Sequence, residues 1–418
     1  MKKTLLTICL VWMCFSLSAQ KIIDLSGKWS FSIDRQDNGE KEKWFSHTLN
    51  DFINLPGSMP EKQKGDEVTA KTQWTGSLYD SSYYYNPYME KYRKEGNIKF
   101  PFFLTPDKHY VGAAWYQKEV NIPADWKGER ILLFLERPHI ETTVWVNGQK
   151  TGMQNSLCVP HQYDITHYVR PGKCTITIRV DNRIKEINVG PDSHSITDQT
   201  QGNWNGIVGR ICLQTTPKTY FDDIQIYPEP EQKLARVKVV IKGTGTAKVK
   251  LSAESFNTDK KHIVPAIQQE IKLNKGVTET EMVLPMGNDM LLWDEFHPAL
   301  YKLKAEVTNG KKTEIKEIQF GMRRFEIKGK WFYVNGRKTQ LRGTVENCDF
   351  PLTGYAPMDV ESWERVFRIC RSYGLNHMRF HSFCPPEAAF MAGGRILSAT
   401  RRSELAQSWS QIRFGTTY

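Results

Sequence analysis

The chain has 418 residues, 39% hydrophobic and 25% charged, with a formal net charge of +11. At about 100–200 residues per domain this is room for two to four domains of ordinary globular composition. Two of the positive charges (Lys2, Lys3) sit in the N-terminal leader. Three more are the excess of Arg395, Arg401, Arg402 and Arg413 over Glu404, leaving +6 for the body. The remaining basic residues are dispersed, so no stripe or block argues for a nucleic-acid partner.

Met1–Ala19 reads as a secretory signal: a basic start, an apolar stretch over Leu5–Phe15, and small residues at Ser16-Leu17-Ser18-Ala19. The apolar run is too short to span a bilayer. The expectation is a protein exported to the periplasm of a Gram-negative bacterium, with no membrane partner once the signal is cleaved. Of the 8 cysteines, Cys9 and Cys14 fall in the leader; Cys158, Cys174, Cys212, Cys348, Cys370 and Cys384 remain, none in a metal-like spacing. Export permits disulfides, and both bridges and buried thiols stay open.

Residues 20–216 read as all-β. Short alternating runs, such as Trp29–Ile33, Ala114–Val120, Arg130–Leu135, Thr143–Val146 and Thr175–Val180, are divided by Gly, Pro, Asn and Asp. Asn147-Gly148 after Val144-Trp145-Val146 is a hairpin turn, because both residues tolerate positive φ. The pattern predicts a jelly-roll β-sandwich. The stretch Trp74–Tyr110 interrupts it, carrying eleven aromatic residues, among them Trp74, Tyr83, Tyr84, Tyr85 and Tyr88. Long loops are usually functional or disordered, and this aromatic density argues against disorder. Either the loop reaches a sugar face with its rings, or it is packed down by them.

Residues 217–321 predict a second sandwich, immunoglobulin-like, with strands at Val237–Ile241, Ala247–Ala253, Glu270–Leu273, Thr278–Leu284, Tyr301–Val307 and Thr313–Phe320. From 322 to 391 the period changes. Lys338–Val345 is a strand candidate, and Asp359–Tyr373 a helix with Val360, Trp363, Phe367 and Cys370 on one face. Asp359 is its N-cap and Gly374 its C′ residue. Leu375–His381 is the next strand and Pro385–Met391 opens a second helix. This is the start of a (β/α)8 TIM barrel, incomplete because a barrel takes about 250 residues. In such barrels working residues sit at the C-terminal strand ends. Those ends are expected to carry Arg342, Glu346 and Asn347 at the first strand and Arg379, His381 and Ser382 at the second. An interior Arg379 needs a hydrogen-bonding or anionic partner, supplied either by a functional site inside the barrel or by a structural ion pair.

Several motifs together resemble glycoside hydrolase family 2, the group of β-galactosidases, β-glucuronidases and β-mannosidases, over roughly residues 24–391. They are Leu25–Trp29, Ile53–Gly57, Ala114–Lys118, Val144–Gly148 with Gly152, Tyr163–Thr166 and Asn203–Arg210, then Leu341–Thr344 and Asn376–His381. The last resembles the family signature around an active-site arginine, although the family places histidine one position later. The resemblance implies exo-hydrolysis of a β-linked glycan by a retaining pair of glutamates about 5 Å apart. It implies a subsite lined by Arg342, Arg379, His381 and Asn347 and rimmed by Trp74, Asp198 and Trp204. The family takes both glutamates from later barrel strands; Glu346, Glu361, Glu364 and Glu387 do not match those motifs. This chain is therefore expected to be truncated before its catalytic pair. No cofactor is expected; a structural Ca2+, Na+ or Mg2+ is compatible, but no ligand cluster argues for one.

From 392 to 418 the periodicity is lost. Codons for Ser398–Trp409 can be read one base out of frame as Leu-Gln-Pro-Glu-Gly-Pro-Ser-Trp-Pro-Asn, which looks like a barrel strand and loop. A frameshift in a longer glycosidase gene is the expectation, with a divergent natural tail as the alternative. The rival reading from another class is a non-catalytic carbohydrate-binding sandwich protein.

Overall fold

A computed structural model of the protein describes residues 20–69, 71–76, 82–98, 105–185, 196–198, 202–381 and 383–401, the last four as backbone only. The signal candidate, Ser382, residues 402–418 and parts of the aromatic stretch lie outside the described residues.

The N-terminal unit is a sandwich of two antiparallel sheets. One orders Ile22–Asp24, Gly206–Thr216, Arg130–His139 and His161–Asp164. The other orders Gln149–Asn155, Glu141–Val146, Gly172–Asp181, Ala113–Ile122, Gly27–Asp34 and Asp51–Leu55. Alternation puts Trp29, Phe31, Tyr116, Leu133, Leu135, Ile176, Ile178 and Leu213 into one core between them. Removing each such large side chain from water contributes about 1.5–3 kcal/mol. The buried Trp29 indole donates to the Leu25 carbonyl at 2.8 Å, so the core carries no polar cost there. The hairpin is as expected: Asn147 and Gly148 both have positive φ (50° and 78°), joining Glu141–Val146 to Gln149–Asn155.

The second unit differs from expectation in how its strands are cut. Two 23-residue strands, Leu234–Phe256 and Ile263–Pro285, run where four shorter ones were predicted. The first pairs with Tyr220–Glu229 over its leading half and with Leu300–Asn309 over its trailing half. Its register shifts between Gly243 and Gly245, with φ +82° at Gly245. A glycine bulge lets one strand bend and serve both ends of the unit. Val237, Val239, Val249, Leu251, Leu303 and Val307 close the core.

The third unit is a parallel three-stranded sheet whose strands lie side by side in chain order. It runs β1 (Gly343–Glu346), α1 (Val360–Ser372), β2 (His377–Phe380), α2 (Glu387–Ile396) and β3 (Ser398–Arg401). The predicted strand Lys338–Val345 is corrected: Arg337–Thr339 belongs to a separate antiparallel sheet with Phe325–Lys328 and Trp331–Val334, and β1 starts only at Gly343. The second helix runs past Met391 to Ile396. Asp359 caps α1, accepting from the Ser362 amide at 2.7 Å. Trp363 and Phe367 of α1 pack on Phe380, the Trp363 and Phe380 rings edge to face at 5.6 Å.

Each end of this sheet is gripped by a different sandwich. At the N-terminal ends, Glu295 accepts from Arg342 (2.9 Å) and from Asn376 (2.5 Å). Beside them, the Trp293 indole donates to Gly394 and Gln319 donates to Met391. At the C-terminal ends, Arg137 donates to the carbonyls of Cys384 and Pro385. Among the described residues no helix is long and apolar enough to cross a membrane.

Candidate functional site

The C-terminal ends of β1 and β2 open toward one edge of the jelly roll, and the loop 347–359 bridges the gap. Its Tyr355 hydroxyl donates to Glu61 at 3.0 Å, and its Thr353 carbonyl accepts from Ser58. Tyr355 also lies 5.5 Å from the Trp204 ring, which stacks on His139 at 4.6 Å. Behind Trp204, Asn203 reaches His139 (3.2 Å) and donates to Thr75 (3.0 Å). Asp198 closes the network. It accepts from the Thr75 amide at 2.6 Å, the Asn203 amide at 2.9 Å, and meets His109 Nε2 at 3.1 Å. Trp74 sits edge-on against His109 at 5.1 Å.

On the sheet, Met378 and Phe380 point under the helices, so period two turns His377 and Arg379 to the opposite face. Arg379 is half-buried there, in register with Val345 of β1, which is 50% exposed. His381 follows β2 and its amide donates to the Glu346 carbonyl at 2.8 Å. Asn347 is exposed just beyond β1. Arg342 does not belong with them. It precedes β1, at the opposite end of the sheet, and is spent on Glu295 and the Gly374 carbonyl (2.8 Å). The expectation failed because the strand begins where it was predicted to end.

Trp74, Asp198 and Trp204 are brought together, but Asp198 and Trp204 are buried (4% and 6% exposed) and lie beneath the surface. The aromatic stretch supports both of its readings in part. Tyr83 is buried, its hydroxyl donating to the Tyr92 carbonyl at 2.8 Å, while Tyr85 and Tyr88 are 79% and 84% exposed.

Charge at the site is held down by burial. Burial pushes the Glu346 carboxyl up against the pull of the Cys348 amide. Burial, with Glu346 adding to it, raises Asp349 to about 6. Burial lowers His139 to about 3 despite its Asn203 partner. Glu346 is in register with Phe380 and acts on Cys370 of α1, so it lies on the helix side, while the open face carries the Arg379 guanidinium. A cleft of about 1030 Å³, lined by residues including Glu136, Arg210, Asp349, Phe350, Tyr355, Met358 and Glu387, runs between jelly roll and loop. No group of three His, Cys, Asp or Glu side chains among the described residues is arranged to hold a metal. Sequence reasoning missed His109, Arg137, His139 and Tyr355. Each is an isolated polar residue whose partners are distant in the chain, so no local pattern marks it.

A jelly roll and a second sandwich thus hold a parallel βα unit at its two ends, a multidomain architecture whose family the sequence specifies. The sequence matches the sugar binding domain of glycosyl hydrolases family 2 over residues 22–217 and a second family 2 domain over 219–323. The chain belongs to glycosyl hydrolase family 2. It is 24% identical to human β-glucuronidase over 391 residues, covering 85% of this chain and 53% of that protein. It is also 24% identical to a β-galactosidase of Thermoanaerobacter pseudethanolicus, covering 71% and 39%. Among solved structures, a β-glucuronidase from Ruminococcus gnavus superposes with a TM-score of 0.67 at 18% identity, over 92% of this chain and 59% of that one. A family 2 member from Bacteroides cellulosilyticus gives 0.63 at 19%, over 90% and 46%. The chain spans about half the length of the human relative it matches.

Proposed function

We propose that this chain is the sugar-recognition and scaffold portion of an exported family 2 glycosidase acting on a β-linked glycan, with β-glucuronides and β-galactosides as the first substrate classes to test. The observation that carries the reading is the clamp: a jelly roll of this family set against the C-terminal ends of two parallel strands, with Arg379 on their open face. In this reading β1 to β3 begin a (β/α)8 barrel. Arg379, His381 and Asn347 line the terminal-sugar subsite, Trp74 rims it, and Asp198 and Trp204 hold the rim in place from below. Retaining hydrolysis by two glutamates about 5–5.5 Å apart is then the work of later strands, and residues 1–418 bind without turnover.

The test uses the purified chain with p-nitrophenyl β-glucuronide and β-galactoside. Calorimetric titration is expected to show saturable binding of one of them, weakened about tenfold or more by Arg379→Ala, the loss of a charged hydrogen bond, with no release of nitrophenol. Hydrolysis by the chain would sink the assignment of the catalytic pair to later strands. No binding of either glycoside would sink the recognition role.

A further inference from the structure

We propose that Cys158 and Cys384 form a disulfide site that staples the jelly roll to the turn after β2. Cys158, Cys348 and Cys384 are far apart in sequence, yet all three line one cavity of about 50 Å³ at the seam between jelly roll and βα unit. All are thiols in this structure. A single guanidinium ties two of them together. Arg137 donates through Nη1 to the Cys384 carbonyl at 2.7 Å and through Nη2 to the Cys158 carbonyl at 3.2 Å. Two carbonyls held by one planar fork bring both residues to the same guanidinium at the cavity wall, and the bridge requires their Cα atoms to come within about 4.4–6.8 Å.

Cys348 is the less suitable partner. It lies in a left-handed conformation (φ 64°), and its carbonyl is not held by the Arg137 fork that holds those of Cys158 and Cys384. Cys158 is half-buried and reachable from solvent, whereas Cys384 is buried. The order of chemistry follows. The Cys158 thiolate attacks a small disulfide oxidant such as oxidised glutathione, forming a mixed disulfide and releasing one glutathione thiol. The Cys384 thiolate then attacks the Cys158 sulfur and releases the second. Two protein thiols are oxidised, one glutathione disulfide is reduced to two thiols, and the two protons end on those thiols. An oxidising compartment supplies such an oxidant. The bridge closes the long loop from 158 to 384, the kind whose closure constrains the unfolded chain most. It also locks the seam beside Arg379 and Asn347.

The experiment incubates the full chain in a mixture of oxidised and reduced glutathione, blocks free thiols, and maps peptides by mass spectrometry without reduction. The Cys158–Cys384 linkage is expected to dominate in native buffer and to give way to scrambled pairs in urea. The oxidised chain should melt several degrees higher than the reduced one. Cys158→Ser, on the half-buried loop, should abolish that difference, and Cys348→Ser should preserve it. A dominant linkage through Cys348, glutathione adducts at Cys158 with no linked peptide, or the same pairs in urea as in native buffer would overturn the proposal.

Discussion

At the residue scale the arginines divide by which end of a strand they occupy. Arg342 is bound to Glu295 at the N-terminal end of the sheet, and Arg379 lies on the open face of β2. Arg342→Ala is therefore expected to cost stability, about 1 kcal/mol for a partly exposed charged hydrogen bond, and to leave glycoside affinity unchanged; urea melts and titration read the two effects separately. Three buried histidines set the response to acid. Burial lowers His139 to about 3 and His161 and His377 to about 4, from an ordinary 6.5. The unfolded chain thus binds more protons than the fold once the pH drops below about 6.5. Stability contributed by these groups is complete above pH 6.5 and lost on descent toward pH 4. Asp349, raised to about 6, acts in the opposite direction between 3.8 and 6, and its partial exposure weakens it. A Tm that falls steadily from pH 7 to 4, and falls less in His161→Gln, is the expected result; a flat profile would contradict it.

At the scale of elements, the second sandwich depends on a bend. Gly245 has φ +82°, and a Cβ there would meet no atom within 4 Å, so substitution strains the backbone without a clash. Gly245→Ala is expected to cost about 1–2 kcal/mol, read as a lower urea midpoint at unchanged m-value. The strands on either side were legible as alternating runs because valines and isoleucines repeat at period two. That two of those runs are one strand was not legible, since a glycine pair reads locally as a turn and only the partner strands on both sides reveal a bulge. Helix α1 was legible almost to the residue: Asp359, the Trp363 and Phe367 face and Gly374 are all local signals. The same local reading misplaced β1, because Lys338–Val345 alternates well enough to hide the break between two sheets.

At the scale of the molecule, the third unit is held at both ends but covered on one face only. Among the described residues Val345 on the open face and Leu352 in the following loop are 50% and 87% exposed, and β1 pairs with β2 alone. Exposed apolar surface and unpaired strand edges favour association. Sedimentation is expected to show concentration-dependent self-association of the chain, reduced by Val345→Lys; a strict monomer at all concentrations would count against an open face.

Composition, period-two runs and family motifs were enough to define two sandwiches followed by a parallel βα unit, because strands, caps and turns are encoded by neighbours in the chain. Of the candidate site, a motif marked Arg379, and the fold places it on the open face of β2. Tertiary structure alone decided that Arg342 is a structural anchor, that His109, Asn203 and Asp198 form one network with Trp74 beside it, and that Cys158, Cys348 and Cys384 share a cavity. Apart from Asp198 and Asn203, five positions apart, those relations join residues separated by tens to hundreds of positions. Side-chain periodicity holds no information about which distant partner a polar group will meet when the domains pack.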